Sequence, residues 1–142
     1  MNARLNLNIR ERYGICYNIE ASYVPYSDIG EFLVYFGTDV KNFARAERLV
    51  ARELKLAREK RMGVVTLHQA KQQLIGQIAL GSESGSGWMS TMGKSVMLYD
   101  RVEPMSETIA GIEAITADQI LEAANRVLAP EQLSHLTYLP GS

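Results

Sequence analysis

The segment Arg10–Tyr17, which reads RERYGICY, holds the side chains best suited to bind a polar substrate. Arg10 supplies a planar cation with several hydrogen-bond donors, and Tyr17 supplies one phenolic O–H. Donors of this kind in a cleft can bind a peptide carbonyl, or stabilise the oxyanion that develops from it. The residues alone favour a structural interpretation, in which Tyr17 is a core aromatic on the same face as Ile15 and Ile19, and Arg10 stabilises a helix end.

The sequence has few of the residues that usually bind transition metals. It has two histidines, His68 and His135, far apart, and one cysteine, Cys16. The motifs H-E-x-x-H and H-x-x-E-H place two histidines on one helix face around a carboxylate, and neither motif is present. We therefore expect no zinc site in the chain. Gly93-Lys94-Ser95 is no phosphate-binding loop either, because Trp88 stands where the loop needs a glycine.

The candidate binding residues need a folded domain to position them, and the composition is that of an ordinary globular domain. The 142 residues fit one domain, with 46% hydrophobic and 22% charged residues. A formal net charge of -1 gives no reason to expect a surface for nucleic acid or membranes. No signal peptide is recognisable and no apolar run reaches the length of a membrane span. We expect a soluble, cytoplasmic protein.

Two segments of alternating polarity predict a β-hairpin. Residues 15–23 alternate between apolar and polar side chains and carry aromatic and β-branched residues, as in a half-buried strand. Residues 31–36 repeat the pattern after turn-forming residues at 25–30. A short alternating segment at 133–139 predicts a third strand.

Helical spacing of apolar residues dominates the chain after the second strand. The predicted helices cover residues 39–57, 66–78, 88–99, 106–114 and 116–127. Thr38 or Asp39 is the expected N-cap of the first helix, and capping-box spacing places Thr66 and Thr116 as further N-caps. Residues 82–87, SESGSG, have the composition of a flexible linker. Strands followed by helices indicate an α+β fold.

Several segments together resemble one family. Residues 4–23 read RLNLNIRERYGICYNIEASY, which resembles a segment of the non-zinc domain in M16-type zinc metallopeptidases, the inverzincin family of insulin-degrading enzyme and mitochondrial processing peptidase. The runs YFGTDVKN, LHQAKQQLIGQIALGSES, GKSVMLYDRV and IEAITADQILEAANRVL resemble later family segments in the same order. Each run alone is weak, but the ordered set covers nearly the whole chain.

The resemblance implies a two-layer sandwich, a mainly antiparallel sheet with helices packed on one face. It makes residues 2–12 helical, although their apolar spacing alone fits helix or strand. It also implies that residues 1–142 are a single C-terminal-type domain that lacks the family's preceding strand and helix. The SESGSG run has more glycines than the family's continuous helix at this place, and each glycine weakens a helix by ~1 kcal/mol. The resemblance therefore leaves open whether this run is a helix, a kink or a loop.

The resemblance further implies a function. In such proteins the zinc site lies in another domain, and an Arg and a Tyr at the positions of Arg10 and Tyr17 reach toward the substrate. We therefore expect no catalytic residue in this chain, no cofactor in it, and no cleavage by it alone. The expected partners are a zinc-bearing M16 domain, in the same or another chain, and a peptide substrate. The alternative is a catalytically dead scaffold subunit of the same family.

Overall fold

The computed structural model describes residues 4–26, 28–82 and 84–139, and it has the expected α+β class. It begins with a π-helix, Asn6–Glu11, as the family resemblance implied for this segment. The remaining regular elements are β1 (Cys16–Pro25), β2 (Gly30–Thr38), α1 (Phe43–Glu59), α2 (Val64–Ser82), α3 (Gly85–Tyr99), α4 (Met105–Ala114) and α5 (Ala117–Val127). Two short 3-10 helices occupy Val40–Asn42 and Pro130–Gln132. The described residues include no helix long and apolar enough to cross a membrane.

The two strands form an antiparallel hairpin with one irregularity. Cys16 lies opposite Thr38 and Asn18 lies opposite Gly37, so β1 advances two residues where β2 advances one. Tyr17 is therefore the extra residue of a β-bulge. The Thr38 hydroxyl donates a 2.5 Å hydrogen bond to the carbonyl oxygen of Ile15 beside the bulge. A Cβ on Gly37 would meet the Asn18 side-chain oxygen at 2.8 Å, so a larger residue here would require the Asn18 side chain to move.

The bulge reverses the in–out alternation of β1. Cys16 and Ile19 are both buried, although an odd step of three residues leads from one to the other, while Tyr17 between them is 69% exposed. Without the extra residue, positions 17 and 19 would share a face. The prediction that Tyr17 is a core residue beside Ile15 and Ile19 is therefore wrong, although Ile15 itself is buried.

The hairpin packs its bulged end against the π-helix and α1. Six buried residues form this core, namely Ile9, Ile15, Cys16, Ile19, Ala46 and Val50. Ile9 of the π-helix is fully buried, and Val34 and Phe36 of β2 pack against the cluster. Burying one such aliphatic side chain contributes about 1.5–3 kcal/mol. The core therefore joins the two predicted strands to the first two helical elements.

Polar contacts fasten the π-helix to α1 as well. The Glu53 carboxylate, on a side chain only 12% exposed, accepts a 2.6 Å hydrogen bond from Arg4 and a 3.1 Å bond from Asn8. Two donors on one half-buried carboxylate fix the position of this helix more firmly than an exposed ion pair would.

The chain divides into two compact units, Met1–Lys60 with Leu121–Ser142, and Arg61–Ile120. The second unit has its own polar contacts: Arg61 binds Asp118 through two nitrogens, at 2.5 and 2.9 Å, and Lys71 donates to the Glu113 carbonyl at 2.7 Å. The Arg61 guanidinium lowers the pKa of the Asp118 carboxyl through hydrogen bonding.

Of the two predicted capping boxes, the one at Thr116 is present and the one at Thr66 is not. Thr116 accepts from the Gln119 backbone N–H at 3.2 Å while the Gln119 side chain accepts from the Thr116 N–H at 2.8 Å, so this box is confirmed. Thr66 is wrong as a cap, because α2 already begins at Val64.

In the SESGSG run α2 ends at Ser82 and α3 begins at Gly85, with the Ser84 hydroxyl as N-cap. α2 and α3 are thus separate helices, and both glycines of the run, Gly85 and Gly87, belong to α3.

The predicted third strand at 133–139 is wrong. These residues have no regular structure and pair with no strand among the described residues. Leu136 and Tyr138 are 80% and 86% exposed. A strand needs a neighbour for its backbone N–H and C=O groups, and an alternating pattern cannot supply one.

The outer end of the hairpin carries apolar side chains that the unit does not cover. Tyr23, Ile29 and Leu33 are 63%, 67% and 48% exposed, and Phe32 is also exposed. Ile15 and Ile19, toward the other end of the hairpin, are not part of this uncovered surface, because the core buries both of them. In the described residues the sheet has two strands, so each also has an edge with unpaired ladder groups.

We expect the chain to self-associate through this hairpin end, most simply as a two-fold dimer. Light scattering across a wide dilution range should show a concentration-dependent mass above that of the 15.8 kDa chain. The double variant Ile29→Lys, Leu33→Lys should shift the mass toward the monomer, because charge on an edge opposes strand pairing. Val64→Lys, at an exposed apolar position of α2, is the matched control and should change nothing. A monomer at all concentrations would contradict the prediction.

Candidate functional site

Tyr17 lies at the surface because of the bulge, and one partner fixes its hydroxyl. The Tyr17 O–H donates a 2.5 Å hydrogen bond to Asp39 Oδ1. Asp39 follows β2 and is the N-cap residue of the short 3-10 helix, but its side chain caps no backbone N–H. Asp39 is therefore the N-cap of this 3-10 helix by position only, whereas α1, for which the sequence predicted Thr38 or Asp39, has Asn42 as its N-cap. The Asp39 carboxylate serves Tyr17 instead.

The Asp39 carboxylate also sets the protonation state of the phenol. It raises the pKa of Tyr17, mainly by accepting its hydrogen bond and secondarily through its negative charge. Deprotonation would remove the donor and place two negative charges side by side. Tyr17 therefore stays a protonated O–H group through neutral and mildly alkaline pH. An O–H group is the form that can donate to a carbonyl oxygen.

Arg10 is held by its backbone rather than by its side chain. It lies in the last turn of the π-helix, and its carbonyl accepts a 2.9 Å hydrogen bond from the Gly14 N–H. Gly14 has a φ of 61°, a left-handed conformation that ends the helix and strains other residues. The exposed Arg10 side chain makes no hydrogen bond or ion pair with the described residues. Its donors are free to bind another molecule.

A third feature, a pair of arginines over the Tyr13 ring, was not predicted from the sequence. The Arg12 and Arg45 guanidinium carbons lie 5.7 and 5.3 Å from the centre of the Tyr13 ring, within the range of cation–π attraction. Arg12 adjoins Tyr13 in the sequence, but Arg45 belongs to α1 and no local pattern connects it to this segment.

The structure thus exposes both predicted residues and gives them different surroundings. Tyr17 is paired with Asp39, which the sequence analysis did not connect with it, and Arg10 points a free cation outward from the preceding helix. The two side chains make no hydrogen bond with each other. Both belong to the first compact unit, together with the Tyr13 cluster. The segment can offer hydrogen-bond donors and positive charge to a polar ligand.

Metal ligands are not assembled in the part of the chain that the structure describes. No group of three His, Cys, Asp or Glu side chains there could hold a metal ion. His68 is exposed on α2, and His135 Nδ1 lies 3.7 Å from Glu47 Oε1. Burial raises the pKa of the Cys16 thiol, which disfavours the thiolate that binds metals. The described residues therefore do not fit a zinc site.

Comparison with known proteins supplies the family. Residues 1–74, which include the π-helix, the hairpin, α1 and part of α2, match the family of the peptidase M16 inactive domain. This chain belongs to the M16 peptidase family.

Relatives of this M16 chain are described as zinc proteases. It is 27% identical over 128 residues to an uncharacterized zinc protease of Mycobacterium leprae, covering 90% of the chain and 29% of that protein. It is 26% identical to the uncharacterized zinc protease YmxG of Bacillus subtilis, covering 92% of the chain and 32% of that protein. The chain thus spans about a third of the length of these relatives or slightly less. Zinc chemistry is a property of the family, and the matched portion is its inactive domain.

Solved structures share the fold of the M16 chain. A conserved protein from Enterococcus faecalis has a TM-score of 0.72 at 27% identity, over 87% of this chain and 29% of that one. A chain of Complex III2 from Candida albicans, with Inz-5 bound, has a TM-score of 0.78 at 17% identity, over 89% and 30%. The periplasmic protease PqqL from Escherichia coli has a TM-score of 0.61 at 16% identity, over 88% and 14%.

We predict that the isolated chain binds no zinc tightly. Among the described residues, no three His, Cys, Asp or Glu side chains lie close enough together to supply the ligands of a zinc site. Elemental analysis of protein purified without chelator should give far less than one zinc per chain. The double variant His68→Gln, His135→Gln should give the same residual value, which serves as the baseline. Stoichiometric zinc that survives dialysis would contradict the prediction.

We predict that Asp39→Asn lowers the pKa of Tyr17. The amide accepts a weaker hydrogen bond and carries no charge, so the phenolate is less disfavoured. Carbon-13 NMR of labelled tyrosine rings during an alkaline titration measures this value, with Tyr17→Phe to assign the signal. In the wild-type chain Tyr17 should titrate above the ordinary tyrosine value.

The same hydrogen bond sets a pH dependence of stability. Because the pKa of Tyr17 is raised in the folded state, its contribution is fully present below the unfolded pKa and is lost as pH rises through the folded value. The wild-type chain should therefore lose more stability than Asp39→Asn over that alkaline window. Identical titration of Tyr17 in both proteins would contradict the assignment of Asp39 as its partner.

Proposed function

We propose that this chain is the substrate-binding, non-catalytic portion of a zinc-dependent M16 peptidase. In this proposal the zinc site comes from another domain of the same polypeptide or from a partner chain. The observation that carries the proposal is the match of residues 1–74 to the inactive domain of the family. The relatives' description as zinc proteases supports a peptide as the substrate class.

The surface of the first unit supports a binding role. Tyr17 offers a phenol that Asp39 keeps protonated, and Arg10 offers a guanidinium with no partner among the described residues. A peptide backbone presents carbonyl oxygens, which accept hydrogen bonds from such donors. Because Tyr17 has one proton and already donates it to Asp39, a substrate carbonyl must take over that bond. This exchange costs little if the carbonyl is developing negative charge, as in peptide hydrolysis.

We assign substrate binding to this chain and hydrolysis to another domain because of the groups that the described residues provide. They provide donors and cations but no metal-ligand set, so we assign hydrolysis to the zinc-bearing domain. Residues 1–142 would act as one domain in this arrangement, with Arg10 and Tyr17 as substrate-binding residues. The chain alone would then bind peptides weakly and cleave none.

A scaffold role is the second candidate. The chain shares its fold with a chain of Complex III2 from Candida albicans, at a TM-score of 0.78. A family member without catalysis would use the same fold to support an assembly. In that case Arg10 and Tyr17 would have no substrate to contact.

Reconstitution distinguishes the two candidates. The chain should be combined with a zinc-bearing M16 domain encoded in the same reading frame or in a neighbouring gene. Cleavage of quenched fluorescent peptides should then require both components. Absence of cleavage by a folded, zinc-loaded assembly would favour the scaffold.

In the reconstituted enzyme, Tyr17→Phe should lower kcat by about 100-fold or more, the typical loss for one oxyanion-binding donor. The substitution removes one O–H and almost no volume. Tyr35→Phe, at an exposed tyrosine of β2, is the matched control and should leave kcat and KM unchanged. Unchanged kinetics for Tyr17→Phe would exclude a role for this hydroxyl in the reaction.

A further inference from the structure

The second compact unit contains an apolar cavity that the proposed function does not use. It has a volume of about 440 Å³ and lies against α2, α3 and α4. Its apolar lining includes Ile78, Trp88, Met92, Leu98, Val102 and Met105. Cavities of roughly 300–1,000 Å³ with mostly apolar walls and a few polar groups are typical of small-molecule sites. The cavity therefore has the size and lining to hold a small apolar ligand.

The polar groups of the cavity differ in whether they are already engaged. The lining hydroxyls of Thr91, Ser95 and Thr108 donate to Gly87 O at 3.0 Å, Arg101 O at 2.7 Å and Glu103 Oε1 at 2.8 Å. Each hydroxyl has thus given its single proton to the protein. These groups can still accept a hydrogen bond but have none to donate.

The unengaged groups are donors. Lys94, Trp88 and Tyr99 line the cavity, and their side chains have no hydrogen-bond or ion-pair partner within the described residues. Lys94 carries three N–H donors and a positive charge, and the other two carry one donor each. A ligand that matches this set presents acceptors and a negative charge.

One lining residue, Glu103, has the opposite charge, but the protein already compensates it. Its carboxylate accepts from Thr108 at 2.8 Å and lies 4.0 Å from the Arg101 guanidinium. Arg101 binds Glu107 more closely, at 2.9 Å, so the compensation of Glu103 is shared. Lys94 has no comparable partner in the described residues. The charge that remains for a ligand to neutralise is therefore that of Lys94.

We propose that this cavity binds a small amphipathic carboxylate, with its hydrocarbon body against the apolar wall and its carboxylate at Lys94. A carboxylate only accepts hydrogen bonds, which matches the free donors, and it pairs with the ammonium. Lys94 and Ser95, which belong to a run that fails as a phosphate-binding loop, thereby gain a role as part of the cavity wall. The site involves neither Arg10 nor Tyr17 and holds whether or not the chain serves a peptidase.

Decanoate is the probe, and Trp88 is the reporter, since it is the only tryptophan in the sequence. Titration of the 142-residue chain below the micellar concentration should shift Trp88 emission to shorter wavelength in a saturable way. The shift is expected because the hydrocarbon chain displaces water from the half-buried indole. Isothermal calorimetry on the same samples gives the affinity without relying on fluorescence. A folded chain that shows no saturable binding by either method overturns the proposal.

Matched ligands and variants test the role of charge. Decanol and decyltrimethylammonium share the hydrocarbon chain. We expect decanol to bind about fivefold more weakly than decanoate, the effect of one exposed ion pair. Decyltrimethylammonium should bind more weakly still, because its charge is repelled by Lys94. Lys94→Met keeps the side-chain length and should weaken decanoate alone, by the same factor. Lys55→Met, on α1 and outside the cavity, is the control and should leave every affinity unchanged.

Three results would overturn the assignment. Equal affinity for decanoate and decanol, with no effect of Lys94→Met, would show an apolar pocket without charge selection. Tighter binding of decyltrimethylammonium would assign the pocket to a cation at Glu103. Binding of an apolar peptide amide without binding of decanoate would identify a peptide as the occupant. Circular dichroism of each variant confirms that a changed affinity does not reflect unfolding.

Discussion

One extra residue in β1 determines how the first compact unit is built. The bulge lies between Cys16 and Asn18, so an apolar residue before it and one after it both face the core. Cys16 and Ile19 therefore reach the same core as Ile9, and Tyr17 is left outside. Bulges re-aim a side chain while the ladder continues on both sides. Packing of the hairpin and exposure of the candidate binding residue are thus two results of one insertion.

Exposure alone would leave the Tyr17 hydroxyl free to rotate and to ionise. The hydrogen bond to Asp39 restricts that rotation and disfavours ionisation, while the Asp39 side chain caps no backbone N–H of the helix that follows. The residue that a sequence would assign to helix capping thus serves a surface tyrosine. The Asp39 carboxylate could accept a hydrogen bond either from a nearby backbone N–H or from the distant Tyr17 hydroxyl, and in the structure it accepts the bond from Tyr17.

Local patterns in the sequence predicted the elements well and their contacts poorly. The hairpin, α1, α3, α4 and the Thr116 capping box follow from periodicity and turn residues, which act within a few positions. Burial of Tyr17 was mispredicted because one inserted residue inverts the period of a strand without a signal in composition. The strand at 133–139 was mispredicted because pairing depends on a distant neighbour. The Tyr17–Asp39 contact joins residues 22 apart, beyond any local rule.

The core of the first unit has a further consequence, for the order of folding. Its buried residues and those packed on them lie between Leu5 and Leu54, in one continuous stretch of chain. The entropy cost of loop closure rises only slowly with loop length, and none of these contacts needs the chain beyond Leu54. On the ribosome, the hairpin can collapse on its two helical neighbours while α2 and the later helices are still being synthesised. If the core forms in this order, the bulge is fixed, and Tyr17 is directed outward, before the later helices are complete.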